Sequence, residues 1–265
     1  MKILNNHHYP SRRSPVVAQN MVAASQPLAV QAGLKMLNEG GNAADAAVAT
    51  AITLTLVEPT GCGLGSDAFA IVWDGTRLHG LNASGPSPAK WSYDRFAKLG
   101  GIPFRGWESV TVPGAVAGWA EVSNKFGKLP FEKLFEVAIM YAHDGFPVSP
   151  VISHLWARGA AELKDQPGFA NNFLRQGKAP NPGEIYQNTN LAKTYEQIAE
   201  TKGLAFYEGV LAERIEDFAR KHDAALRVSD LSSFKPDWCG TLKNDFDDIN
   251  LHEIPPNGQG IAALI

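Results

Sequence analysis

The densest apolar pattern in the chain lies between Met21 and Phe69, and its period changes along the way. Apolar residues first recur at helical spacing through Leu28, Ala32 and the pair Met36/Leu37. That spacing predicts a helix opening near Ser25. The Ser25 hydroxyl would accept a first-turn N–H, and Pro27 stands where a missing N–H costs little. Gly40 and Gly41 supply a left-handed stop. Asn42 then caps a second helix, with Asp45 in its first turn facing the positive end of the helix dipole. From Ala43 to Val57 almost every position is small or apolar, which predicts a helix buried on all sides. The stretch is too short for a membrane span and carries Asp45 within it. Pro59 fits its end.

After the glycine-rich stretch Thr60 to Asp67 the period drops to two. Ala68 to Trp73 reads as a strand, Asp74-Gly75 as a hairpin turn, and Thr76 to Asn82 as the return strand. Phe69, Ile71 and Trp73 share one face; Ala68, Ala70 and Val72 share the other. Both faces are apolar, so the pattern predicts a sheet covered on both sides and hence a layered α/β sandwich. The stretch TGCGLGSD follows a helix and opens a strand. A dinucleotide fingerprint has the reverse order, and GxxxxGK[ST] is absent, so it reads as a tight turn where backbone passes close to backbone.

Helical and extended patterns then alternate to the end. Trp107 to Gly118 predicts a short strand, a Pro-Gly turn and a helix running to about Phe126, with Gly127 as its stop. Further helices are predicted over Phe131 to His143, Val151 to Leu163, Leu191 to Thr201 with Asn190 as cap, and Val210 to Lys221. Short turns of helix are predicted near Phe173 and from Ser229 and Asp230. Two strands, Thr241 to Lys243 and Ile249 to Ile254, flank an acidic turn that reads as solvated rather than cation-binding. The chain ends on GIAALI, the start of an apolar helix with no polar tail. That ending predicts a chain cut short, or one piece of a longer polypeptide. Residues 1–20 read as a tail and 21–265 as a partial domain.

Composition narrows the classes. The chain has 265 residues, 45% of them hydrophobic, enough for a sizeable core. Charged residues make up 19%, low for a free-standing domain, and hint at surface hidden by another segment. The net charge of -3 and the absence of a basic stripe argue against nucleic acid. Cys62 and Cys239 form no metal-ligand spacing and no disulfide framework, so no zinc or other metal site is expected; Cys62 reads as a small filler in preference to a reactive thiol. His7/His8 and the arginines after them read as a solvated tail. With no apolar run of signal-peptide length and no membrane segment, a cytoplasmic protein is expected.

Nucleophile motifs are missing. There is no GxSxG, SxxK or HExxH, and no histidine pairs recognisably with a serine or cysteine. His143 reads as a cap at a helix C-terminus. The loop Asn82 to Lys90, NASGPSPAK, is small, polar and stiffened by proline; from its spacing alone it reads as an ordinary turn, and its place at a strand end also suits substrate contacts.

Taken in order, the blocks SRRSPVVA, MVAASQPLAVQAGLKMLNEGGNAADAAVAT, VEPTGCGLGSDAF, TVPGAVAGW, AHDGFPVSP, FYEG and PPNGQG carry a resemblance over nearly the whole chain. The chain resembles the earlier part of the large subunit of the gamma-glutamyltransferase (gamma-glutamyltranspeptidase) family, within the N-terminal nucleophile hydrolases, and looks most like its signal-less bacterial branch. The resemblance implies an αββα sandwich, incomplete in this chain, made as a proenzyme that cuts itself. The nucleophile it implies is the new N-terminal threonine of a small subunit downstream, so no catalytic residue is assigned here. No cofactor is implied; the partners are that small subunit and a small gamma-glutamyl amide. Family members that use glutathione carry an arginine in the loop matching NASGPSPAK, paired with the glutamyl α-carboxylate. The matching place is Ser84. A branch resembling cephalosporin acylases has an arginine nearer Pro86. This chain has neither, leaving Asn82, Ser84 and Ser87 as candidate substrate-binding residues. Cleavage of gamma-glutamyl amides is the leading expectation, a glutaryl-type acylase the second, and a non-catalytic binding or scaffold remnant the third.

Overall fold

A computed structural model describes residues 16–265. His7, His8 and the arginines of the tail lie outside the described residues.

Helix α1 (Pro27–Asn38) and helix α2 (Ala43–Val57) form the centre. The side chain of Gln26, not Ser25, caps α1 by accepting from Leu28 N–H, while the Ser25 hydroxyl bonds Glu58 at the far end of α2. A partner across the helical hairpin has won over the local one. Gly40 takes the positive φ expected of it. At the start of α2 the expected cap is a full capping box: Asn42 Oδ1 accepts from Ala44 and Asp45 N–H, and Asp45 returns a bond to Asn42 N–H at 2.8 Å. The Asp45 carboxylate also accepts from Lys128 and Leu129 N–H, at 3.0 and 3.3 Å. One fully buried acid therefore ties a distant loop to the helix.

The flanks of α2 are buried against α1, α4 (Ala115–Phe126) and α5 (Glu136–Asp144). Its threonines survive burial because Thr50, Thr53 and Thr55 each donate to a carbonyl three or four residues back. Thr55 also meets the Tyr195 hydroxyl at 2.6 Å. Gly33 lets α1 and α2 touch, since a Cβ there would lie 2.3 Å from Thr50 Oγ1.

The hairpin pairs β1 (Ala68–Trp73) with β2 (Leu78–Ala83), antiparallel, with Ala68 opposite Ala83. The return strand starts two residues later than predicted because the Asp74 carboxylate takes the N–H groups of Thr76 and Arg77 and keeps them in the turn. Segment 237–240 joins the open side of β2 through mutual Asn82–Asp237 backbone bonds and the Gly240 N–H to Gly80 bond. One face of the hairpin packs on α4. The other does not match the expected two-sided cover: Phe69, Ile71 and Trp73 are 46%, 42% and 61% exposed. The apolar positions fall as expected, but the three side chains stay largely open, and this side is approached at its β2 edge by Gly240, Ile254 and Asn257.

Between the hairpin and α4 lies the unpredicted short helix α3 (Tyr93–Lys98), capped by Ser92. The strand expected before the Pro-Gly turn is instead a 3₁₀ turn (Trp107–Ser109) followed by an unpaired extended segment. The helix expected from Phe131 divides into a 3₁₀ turn over Phe131–Phe135 and then α5, which Gly145 stops. Then follow β3 (Phe146–Pro147), α6 (Pro150–Leu163), α7 (Phe169–Phe173), β4 (Ile185–Tyr186), which pairs with β3, and α8 (Thr189–Glu200). Asn188 rather than Asn190 caps α8, because its side chain reaches Leu191 N–H. The chain continues through α9 (Leu204–Glu208), α10 (Val210–Lys221) and α11 (Val228–Ser233) to the hairpin of β5 (Leu242–Phe246) and β6 (Ile249–Glu253). These last strands leave a shorter turn than predicted, with Asp247 at φ 55°. Helix α12 (Gly260–Leu264) ends the chain. No helix of the described residues is long and apolar enough to cross a membrane.

Candidate functional site

The glycine-rich stretch before β1 acts on α4. The carbonyl of Ser66 accepts from both Gly114 and Ala115 N–H, at 3.1 and 2.8 Å, so it occupies the start of that helix. Ser66 Oγ accepts from Gly63 N–H at 2.9 Å and closes the loop on itself. With Ala117 N–H also donating to the Tyr207 hydroxyl at 3.0 Å, most of the donors a phosphate would use at this helix start are engaged, in keeping with the tight-turn reading. Close packing then fixes the end of β2. A Cβ on Gly114 would stand 2.0 Å from the Ala83 carbonyl oxygen, and one on Gly85 would stand 1.7 Å from that of Val112.

Past Ala83 the loop is held at both ends. Val112 N–H donates to the Pro86 carbonyl at 3.0 Å, and Ala89 N–H to the buried carboxylate of Asp230 at 2.9 Å. Within this frame Asn82 Oδ1 accepts from the Ser84 N–H and hydroxyl, at 2.9 and 2.7 Å. Asn82 Nδ2 donates to Asn257 Oδ1 at 2.9 Å, and Asn257 Nδ2 donates to Ser84 Oγ at 2.7 Å. Asn257 belongs to the PPNGQG turn between β6 and α12. The structure thus joins Asn82 and Ser84 to a residue 173 positions away from Ser84. Ser87 is exposed and makes no hydrogen bond with them.

Sequence reasoning did not single out Asn257 as a site residue, although the PPNGQG block was noted. The Pro-Pro and Gly flanks that make a rigid turn were the available signal. It also passed over Asp67, the residue just before β1. Asp67 Oδ1 receives the Gly85 N–H at a long 3.4 Å. Burial pushes its carboxyl above the usual range, with the Gly85 bond opposing. No Lys or Arg bonds to Asn82, Ser84, Asn257 or Asp67 among the described residues. The cluster offers amide and hydroxyl groups and one acid, with no fixed positive charge.

Nothing in these residues is an activated nucleophile. His79 sits in the hairpin with Nε2 2.6 Å from Asp74, and His143 bonds Asp144 at the end of α5. His252 meets the Thr241 hydroxyl at 3.0 Å, but no third group orients the ring among the described contacts. The Cys62 thiol is held above its usual range, by burial first and by Glu58 second, which disfavours the thiolate. Among the described residues, none of these groups is a nucleophile paired with both a base and an orienting partner.

The chain as a whole matches known proteins. The family model described as Gamma-glutamyltranspeptidase matches residues 29–265. The chain belongs to that family. It is 35% identical over 256 residues to the "Glutathione hydrolase-like YwrD proenzyme" of Bacillus subtilis, covering 96% of this chain and 49% of that protein. Among solved structures, a cephalosporin acylase from Bacillus halodurans superposes with a TM-score of 0.93 at 42% identity, covering 99% of this chain and 51% of the other. The gamma-glutamyltranspeptidase of Helicobacter pylori superposes with a TM-score of 0.89 at 26% identity, covering 94% and 73%. The chain therefore has a mixed α/β portion of the gamma-glutamyltranspeptidase fold, matching the large-subunit region. It spans about half the length of the curated relatives it matches.

Proposed function

We propose that this chain is the large-subunit portion of a self-processing hydrolase or acyltransferase that cleaves gamma-glutamyl amide bonds. The nucleophile would be the N-terminal threonine of a small subunit, supplied by residues outside this chain. Its hydroxyl would attack the amide carbonyl while its own α-amine takes the proton, since a free N-terminal amine is a base of suitable strength at neutral pH. The amine portion leaves, and water or an acceptor amine releases the acyl group. The observation that carries this reading is the joining of Asn82, Ser84 and Asn257 at the end of the central hairpin, with no activated nucleophile among the described residues. It is a built polar surface beside an uncovered apolar face. The names of relatives such as the Bacillus subtilis protein support the substrate class.

A second reading, an acylase of glutaryl-type side-chain amides, has one specific observation behind it. The polar cluster has no arginine for a glutamyl α-carboxylate, and the chain superposes well on a cephalosporin acylase. The test of the shared mechanism is expression of the whole reading frame that contains this chain. Two fragments are expected, the smaller beginning with threonine, together with amidase activity. A single uncut and inactive product would overturn the proposal. Comparing gamma-glutamyl and glutaryl p-nitroanilides then separates the two readings.

A further inference from the structure

We propose that Asp67 is a specificity-determining residue of the polar cluster, selecting acyl groups that carry an ammonium over those whose only charge is a carboxylate. This rests on the amide-cleaving reading above and names the feature of the acyl group that the site would recognise.

The register of the hairpin sets the position. Ala68 pairs with Ala83, so Asp67 precedes β1 at the end where Ser84 leaves β2. The 3.4 Å contact from Gly85 N–H to Asp67 Oδ1 puts the carboxylate against the Ser84–Gly85 peptide. Its other oxygen has no hydrogen-bond partner among the described residues, and no cation neutralises it there. Beside it, Asn82, Ser84 and Asn257 supply only neutral groups. The charge at this end of the hairpin is therefore negative.

Two candidate acyl groups differ by one substituent. A gamma-glutamyl group carries an α-ammonium and an α-carboxylate and is neutral overall. A glutaryl group has the same carbon chain and carboxylate but no amine, and is an anion. An unpaired carboxylate attracts the first group's ammonium and repels the second group's only charge. The remaining amide N–H groups of Asn82 and Asn257 can donate to either carboxylate and do not discriminate. On this view the missing arginine and the present aspartate act together: the site reads the amine.

The test uses the whole processed protein with gamma-glutamyl-p-nitroanilide and glutaryl-p-nitroanilide. Asp67→Asn removes the charge and keeps an oxygen for the Gly85 N–H. The ratio of kcat/KM for the gamma-glutamyl to the glutaryl amide is expected to fall about tenfold in this variant, the size of a single unbalanced charge contact. A structural role alone would lower both amides together and leave the ratio unchanged, which would overturn the proposal. Asp67→Glu is expected to restore most of the preference. A wild-type protein that processes itself yet cleaves neither amide would overturn the functional reading instead. In that case the affinities of L-glutamate and glutarate, measured calorimetrically for wild type and Asp67→Asn, decide the role of Asp67 by the same ratio.

Discussion

The helical pair α1–α2 and the β1–β2 hairpin lie side by side in sequence and solve the same problem in opposite ways. The helical pair closes on itself. Its acid, amide and hydroxyl groups bond to backbone or to one another, and most of α2 is buried within the described residues. The hairpin is finished on one face only, with Phe69, Ile71 and Trp73 exposed and the far edge of β1 unpaired among the described residues. The polar cluster hangs from the unfinished element and is fixed through α4, where Gly114 and Gly118 pack on Ala83 and which in turn packs against α2. Stability and site chemistry are thus held in different places.

If that division is right, its largest break comes from the closed region. Asp45 is fully buried and accepts N–H bonds from Asn42, Lys128 and Leu129. Asp45→Ala leaves those donors without their acceptor and is expected to cost about 3 kcal/mol of stability, read from a denaturant melt. A loss under about 1 kcal/mol would mean that water replaces the carboxylate readily, and that this node does not tie the Gly127–Leu129 loop to α2.

The open region should behave differently. Replacing Phe69, Ile71 and Trp73 together by threonine keeps strand-forming residues and removes exposed apolar area. The stability of this chain alone is expected to change by about 1 kcal/mol or less, since surface substitutions seldom do more. Light scattering should show less self-association. Within the whole protein the same change is expected to be severe, because the second layer proposed for the sandwich would cover these residues. A large loss in the chain alone would show that the face is already packed and would erase the contrast.

The two regions also differed in how far the sequence revealed them. The Asn42–Asp45 cap was legible because its partners are within three residues, and the Asp-Gly hairpin for the same reason. Ser25 misled because its preferred partner, Glu58, is remote in sequence and local rules cannot weigh it. The cap of α8 shifted by two residues, where two asparagines competed and only Asn188 reaches Leu191. For the cluster, Asn82 and Ser84 were readable from their loop. Asn257 was not, because its contact closes a loop spanning most of the chain, and Asp67 was hidden among turn residues that periodicity ignores. Ser87 shared the loop's composition but not its geometry. Composition marked this loop as a place for substrate contacts or an ordinary turn; family resemblance narrowed it to Asn82, Ser84 and Ser87.

The smallest expected effect lies in the hairpin's own turn, and it sharpens the comparison by pH. Asp74 accepts from Thr76 N–H, the Thr76 hydroxyl and Arg77 N–H, and its other oxygen lies 2.6 Å from His79 Nε2. The Thr76 hydroxyl first, then His79 and the backbone donors, hold its carboxyl well below the usual carboxylate range. A depressed folded pKa contributes stability that is complete above the unfolded value and is lost as pH falls through the folded one. The contribution of Asp74 should therefore be intact at neutral pH and decline from about pH 4 downward, where an unfolded aspartate takes up its proton. Because the group is solvated, the effect on global stability is small, and hydrogen exchange at Thr76 and Arg77 is the sensitive readout. Asp74→Asn should flatten that pH dependence while leaving the protection of α2 unaltered. Equal acid sensitivity in α2 and the turn would mean that the two regions open as one unit, and that the hairpin is less independent than its exposed face implies.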